Sequence, residues 1–427
     1  MTPTDPPGKP IHPLRIAPID APTLASVKPL PPAAPGGIEP YRVLFPLGAA
    51  IGLAGTLPWI TFAAGAGAWP GMLHATLMIQ GFELCFVAGF LLTAMPSFTH
   101  GEKCRPGELW AVVAGAIAFT LLHAAGIEGW AQLCFAATLA VTAFAILRRT
   151  RFDGAAPPEE FLLAAIGLLF GIAGGLHQAA AAFGVLPEPL PRFGVRLVSR
   201  GMVLAVVLGL GGLLVPTFAM IKDPLRIVGI ARAGQRGPRR VYVLAIAALL
   251  AASFQAEAQH MPSLGGWLRA VAGIASTMLS WKIWSRPGRG GALTWALWLS
   301  GWGIALGLLA AAIWPQHEIS AYHVVFIGGY GLLTMAIGTR VVVTHGGHDH
   351  GEETKVLRWA GIALLGVALV SRLLGGDVDP TQSHALAGAA GAWVLAWSLW
   401  LSGALPRALR TRQKPTGLVG MPVRKKN

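Results

Sequence analysis

The sequence predicts an all-α fold, a polytopic membrane helix bundle of about twelve transmembrane helices, on three observations. Only 12% of its 427 residues are charged and 54% are hydrophobic, where a soluble domain carries roughly a quarter charged residues; mean hydropathy is +0.59. The apolar residues fall in runs of about twenty, the length a helix rising ~1.5 Å per residue needs to cross ~30 Å of hydrocarbon. The basic residues collect in alternate breaks between those runs, as retention of Lys and Arg on the cytoplasmic face requires.

Taken in order, the runs predict helices at 43–64, 71–95, 109–126, 129–147, 161–184 and 196–220, then at 239–255, 262–284, 291–313, 320–344, 357–374 and 383–403. An even number of crossings puts both termini on one side. With the termini cytoplasmic, all but five of the 33 basic residues fall inside; Arg192, Arg196, Arg200, Arg269 and Arg372 lie at or near the outer side. The inner segment Arg148-Arg149-Thr150-Arg151, the loop from Lys222 to Arg240 and the tail from Arg407 to Lys426 hold the orientation against anionic lipid headgroups. The formal charge of +14 does not point to nucleic acid, because the basic residues are not gathered on a soluble face. Residues 1–40 hold twelve prolines and no apolar core of signal-peptide length, and read as a disordered cytoplasmic tail. The transmembrane domain then occupies 41–405, and 406–427 form a basic cytoplasmic tail. Cys85, Cys104 and Cys134 are too few for a disulfide framework.

Three predicted spans share a local pattern: Gly89-Phe90-Leu91-Leu92-Thr93-Ala94-Met95-Pro96 in the second, Gly212-Leu213-Leu214-Val215-Pro216 in the sixth and Gly331-Leu332-Leu333-Thr334-Met335 in the tenth. The pattern hints at three repeats of four helices, which would set these three helices in equivalent positions around one centre.

Ionisable residues are costly in hydrocarbon, so their placement is informative. His74, His123, His177, His260, His317, His323 and His384 all fall near the outer ends of spans, and imidazole suits haem iron and copper alike. For His260, His317 and His384 the competing interpretation is a solvated interfacial residue. From His74, Met78 and Cys85 continue one helical stripe; from His323, Tyr330 and Thr334 do the same. His177 follows Gly174-Gly175, where a backbone can approach either a flat cofactor or a neighbouring helix. Glu83 lies mid-span, turned away from His74, with a proton relay and a structural hydrogen bond as its alternatives. The inner loop His345-Gly346-Gly347-His348-Asp349-His350 is a weak metal-binding tract or solvated surface. No phosphate loop, nucleophile elbow or paired-cysteine metal motif is present, and no reaction is assigned.

These residues carry a resemblance. The sequence resembles the NnrS family of bacterial membrane proteins in His74-Ala75 with Met78 and Gly81-Phe82, in Ala88 through Pro96, in Gly211-Gly212 through Val215-Pro216, and in His323, Gly328, Met335, Thr339-Arg340 and His345-Gly346-Gly347. The resemblance implies a multi-pass bacterial inner-membrane protein that binds haem and copper, takes nitric oxide as a ligand and serves the response to nitrosative stress. It also implies His74 and His323 as metal ligands, with His177 next; Tyr330 and Thr334, on the helical face of His323, would then supply hydroxyls beside the bound group. Many relatives read His-Ala-His-Glu-Met where this chain has Thr76 and Leu77. Leu213 stands where an Arg is common, and Trp295 and Trp298 mark a ninth helix without histidine. Such losses fit a branch that keeps haem without copper, or neither. A secondary transporter and a metal-free accessory protein are the other functions the sequence allows.

Overall fold

The computed structural model describes residues 38–99, 101–150, 157–186, 191–219, 221, 236–288, 290–376 and 383–410. The predicted disordered tail up to residue 37, the inner loop from 222 to 235 and the tail from 411 onward lie outside the described residues. Within them every regular element is a helix. In chain order they are α1 (Tyr41–Ala63), α2 (Gly71–Thr99), α3 (Pro106–Ala124), α4 (Glu128–Thr150), α5 (Glu160–Ala182), α6 (Phe193–Phe218) and α7 (Gly237–Ala258). There follow α8 (Pro262–Ala275), α9 (Ala292–Ile313), α10 (Pro315–His345), α11 (Trp359–Leu374) and α12 (Ser383–Leu409).

Ten of these are long and apolar enough to cross a membrane, and α11, joined to His350–Val356 at a 41° bend, makes an eleventh. The chain is a multi-pass membrane protein. The remaining predicted span is α8, which runs on as a π-helical turn over Ser276–Ser280. It stops short of the predicted end at 284, where the left-handed Lys282 (φ 57°) turns the chain.

The bundle has an inside. In the most apolar stretch of α2, 83% of residues are buried; α6 follows with 78% and α10 with 67%, whereas no other candidate span exceeds 50%. The three inner helices are each the second of four, the spacing that the shared Gly-Leu-Leu pattern predicts. They also share an architecture. A six-residue α segment (Gly71–Thr76, Pro191–Arg196, Glu318–His323) leads into a π-helical stretch (Leu77–Glu83, Leu197–Met202, Val324–Gly331) and then a long α segment. π-helical stretches are rare and widen a helix locally, so their recurrence after a six-residue α segment in the second helix of each quartet marks the repeat more firmly than the short sequence match.

Consecutive helices pack side by side, and α12 returns along α1 and meets α2 through its aromatic rings to close the ring. That closure is aromatic. Phe82 and Phe86 of α2 meet Trp397 of α12 at ring-centroid distances of 4.8 and 5.4 Å, and the Trp400 indole N–H donates to the Thr339 hydroxyl of α10 at 2.9 Å. Without a hydrophobic drive between helices in lipid, such contacts and close backbone approach hold the bundle together. Among the described residues the tightest approach of one helix backbone to another joins α9 to α10, where a Cβ on Gly303 would lie 2.4 Å from the Gly328 carbonyl carbon. At the Arg148 end, α3 and α4 are tied by Arg148 and Arg149 to Glu108, with Arg148 also reaching Glu102. Arg148 and Arg105 hold the Glu102 carboxyl below the usual carboxylate range.

Gly303→Ala is expected to force α9 from α10 and cost about 1–3 kcal/mol, read as a lower thermal midpoint in detergent. Gly366→Ala, which meets nothing within 4 Å, should leave the midpoint in place; equal effects would mean that the approach at Gly303 is slack.

Candidate functional site

The inner helices line a cavity of about 60 Å³. Its walls are apolar: Val206, Val207, Leu210 and Leu214 from α6, Phe86 and Phe90 from α2, Phe45 from α1, Leu333 and Ile337 from α10. Two polar side chains interrupt them. Glu83, only 5% exposed, comes from the end of the π-helical stretch of α2, and Thr334 of α10 donates its hydroxyl to Glu83 Oε2 at 3.3 Å. The buried Tyr330 lies in electrostatic range of the same carboxyl. No Lys, Arg, His or Asp lines the cavity among the described residues.

The predicted stripe from His74 through Met78 to Cys85 faces α1. His74 Nδ1 is 3.1 Å from the Gly55 carbonyl oxygen, the Thr56 hydroxyl donates to Met78 Sδ at 3.5 Å, and Cys85 packs on Gly48. Glu83 points the other way, into the cavity, as its helical position predicts. On α10 the predicted stripe is continuous as a ladder of rings. His323 stands 5.9 Å from Phe326, Phe326 stands 5.8 Å from Tyr330, and Thr334 completes the line at Glu83. His323 Nδ1 is 2.7 Å from the Ile319 carbonyl oxygen. His177 meets Phe193 of α6 at 5.7 Å, and its buried Nδ1 has no hydrogen-bond partner. The adjacent glycines serve helix packing: a Cβ on Gly174 would press on Val198, and one on Gly175 on Phe135.

The structure thus brings Glu83, Tyr330 and Thr334 together and gives His74, His177 and His323 separate surroundings. Among the described residues no three His, Cys, Asp or Glu side chains gather in an arrangement that would hold a metal. His123 is drawn to Glu128 at 2.8 Å, and His260 adopts φ 61° in the turn between α7 and α8. At the opposite end the His345 loop is likewise dispersed. His345 meets the Tyr41 ring, His348 Nε2 is 3.1 Å from the Arg407 carbonyl oxygen, and His350 stands with Glu353 and Arg340. Arg340 also reaches Glu353 at 2.9 Å and covers the Phe218 ring of α6 at 4.8 Å. Thr339 is the acceptor for Trp400, and Pro96 is buried within α2.

Sequence reasoning left the outer arginines without partners, and the structure supplies them. Arg269 of α8 and Glu257 of α7, each 2% exposed at the side chain, form an ion pair. Glu257 also meets Arg196 and Arg200 of α6 at 3.4 and 3.8 Å, and Arg200 reaches Glu318 of α10 at 2.7 Å. Tyr322 lies under the Arg200 guanidinium at 4.6 Å and accepts from Arg269 Nε at 3.1 Å. The signal was present in Glu257 and Glu318, two acids at the same predicted depth as the arginines. A second buried contact, the reciprocal amide pair Gln80–Gln132 at 2.9 Å, ties α2 to α4.

A bundle of membrane-spanning helices with three inner helices around a carboxyl-bearing cavity defines the class as a polytopic helical membrane protein with an internal repeat. The family described as NnrS protein matches the chain over residues 38–412, all twelve helices, and the chain belongs to the NnrS family. No curated protein matches it.

Replacing Glu257 by Ala leaves Arg269 buried without its counter-charge, a loss of about 3–5 kcal/mol for such pairs. The thermal midpoint in detergent should fall well below that of Arg105→Ala, whose partner Glu102 is half exposed; matching midpoints would mean that the network adds little.

Proposed function

We propose that this protein binds haem at the outer face of the bacterial inner membrane and serves tolerance to nitric oxide, with both termini in the cytoplasm. Family membership supports the reading, and one observation on the residues carries it. His74 directs Nδ1 at the Gly55 carbonyl oxygen, which fixes the proton on Nδ1 and leaves the Nε2 lone pair for a metal, the arrangement usual for ligating histidines; His323 likewise turns Nδ1 to the Ile319 carbonyl oxygen. The unpartnered Nδ1 of His177 is a third nitrogen suited to the same task. The donors fit haem iron, which needs one or two imidazoles. They do not fit a three-ligand copper centre, because no trio gathers among the described residues, so copper is not part of the proposal. The central cavity of about 60 Å³ is far below the ~300–1,000 Å³ of small-molecule pockets, which supports the histidine-bearing end over Glu83 as the place for the group.

When bound, haem supplies an iron that takes nitric oxide as a ligand. The chain's own part is to orient His74 through Gly55 and Trp59, whose ring stands 5.8 Å from the imidazole, and to orient His323 through Ile319 and Phe326. Protein produced with ample haem should show a Soret band that shifts on adding nitric oxide. His74→Ala and His323→Ala should each lower the haem bound per chain by at least half. A colourless protein from haem-replete cells defeats the reading, and full occupancy in both variants clears these residues.

A second reading, a secondary transporter, is favoured by the repeat around a central cavity with one buried carboxyl, a layout carriers share. Protein-dependent solute flux into proteoliposomes, in preparations free of haem, would put it first.

A further inference from the structure

Glu83 lies where all three inner helices line one cavity, and it and Thr334 are the polar side chains of that lining. A carboxylate at mid-span costs several kcal/mol unless it is protonated, paired or wet. Pairing does not relieve it: from α10 it meets the Thr334 hydroxyl, while α1, α6 and the rest of α2 present apolar side chains to the cavity. Water and protons are left. The cavity is elongated, its lining running from Glu83 to Phe90 on α2, from Val206 to Leu214 on α6 and from Leu333 to Gly338 on α10. Those stretches span about two helical turns and lead from Glu83 toward the end where Arg340 covers Phe218 and pairs with Glu353. About 60 Å³ exceeds the ~10–15 Å³ that a single water needs, so the cavity has room for a few waters beside the carboxyl, on the side toward that end.

We propose that Glu83 is a proton-binding site that exchanges with the Arg340 face of the bundle through the central cavity. A hydronium ion entering the cavity gives its proton to a Glu83 oxygen, forming the carboxyl O–H bond and leaving water; release reverses the step and needs no other reactant. Thr334 orients the carboxyl by its hydrogen bond to Oε2, and Phe86 and Leu210 keep the surroundings dry enough that the cavity waters are the route for the proton. The His323–Phe326–Tyr330 ladder places this site at the inner end of the stripe that starts at the candidate haem ligand. The proposal does not depend on haem and applies equally to a carrier.

Infrared spectroscopy of the protein in lipid nanodiscs, perfused alternately with acidic and alkaline buffer, tests it. The wild-type difference spectrum should contain a carboxylic acid C=O band that appears in acid, disappears in alkali and shifts to lower frequency in heavy water. Glu83→Gln should remove that band, and Thr334→Val should move it to higher frequency, since the hydrogen bond from the hydroxyl is lost. If Glu83→Gln fails to fold, the shift in Thr334→Val decides alone. Spectra of wild type and Glu83→Gln that coincide at every pH, a Glu83 band that ignores the perfusing buffer, or an unmoved band in Thr334→Val would each overturn the proposal. Haem content measured on the same samples should be unchanged in Glu83→Gln, which separates failure here from failure of the haem reading.

Discussion

Three helices carrying the same sequence of elements, short α segment, π-helical stretch and long α segment, line one cavity, and the rest of the bundle is arranged around it. In lipid every backbone amide has to find its partner within the helix or in a neighbour. A π-helical stretch keeps its own hydrogen bonds while changing the phase of the side chains beyond it. In α2 that leaves His74, Met78 and Cys85 on α1 and turns Glu83 toward α6 and α10. In α10 it aligns His323, Phe326, Tyr330 and Thr334 in a file ending on the Glu83 carboxyl. The nine outer helices wrap this core, with Trp393, Trp397 and Trp400 of α12 closing the ring on the α2 side.

The two ends of the bundle are stabilised differently from its middle. At the Arg269 end, α6, α7, α8 and α10 share a network of three arginines and two carboxylates around Tyr322, so the second and third quartets are joined through buried charge. At the other end, Arg340 joins α10 to Phe218 of α6, while Arg407 pairs with Glu352 to hold α12 against the His350 loop. Between the ends the cavity walls carry no charge except Glu83. Because broken buried pairs are far more costly than unformed ones, the end networks favour one arrangement of the quartets.

The sequence revealed the helices because hydropathy is a property of single residues, and lipid selects on it directly. It revealed the repeat through Gly89, Gly212 and Gly331, and it placed Glu83 opposite His74 by helical angle alone. What it withheld depends on pairs. Seven histidines at one predicted depth suggested convergence, but depth says nothing about which way each ring turns. The structure gives His74 to Gly55, His123 to Glu128 and His323 to Ile319. The end of α8 was placed beyond its true limit, since the apolar pattern continues through Trp281 while the backbone leaves the helix at Lys282. The partners of Arg200 and Arg269 were hidden because they lie 118 and 12 residues away on other helices. The π-helical stretches, on which the phase of the inner helices depends, leave no mark in a pattern read at one residue per 100°.

The convergence of α2 and α10 at Glu83 and Thr334 is the central claim, and chemical cross-linking measures it directly. With Cys85, Cys104 and Cys134 replaced, Glu83→Cys and Thr334→Cys introduced together, and a protease site placed in the segment 222–235, mercuric ion should bridge the two thiols. After cleavage the two halves should then migrate as one species on a denaturing gel, and either single cysteine should release them. Halves that separate in the double variant as freely as in the single ones would contradict the account.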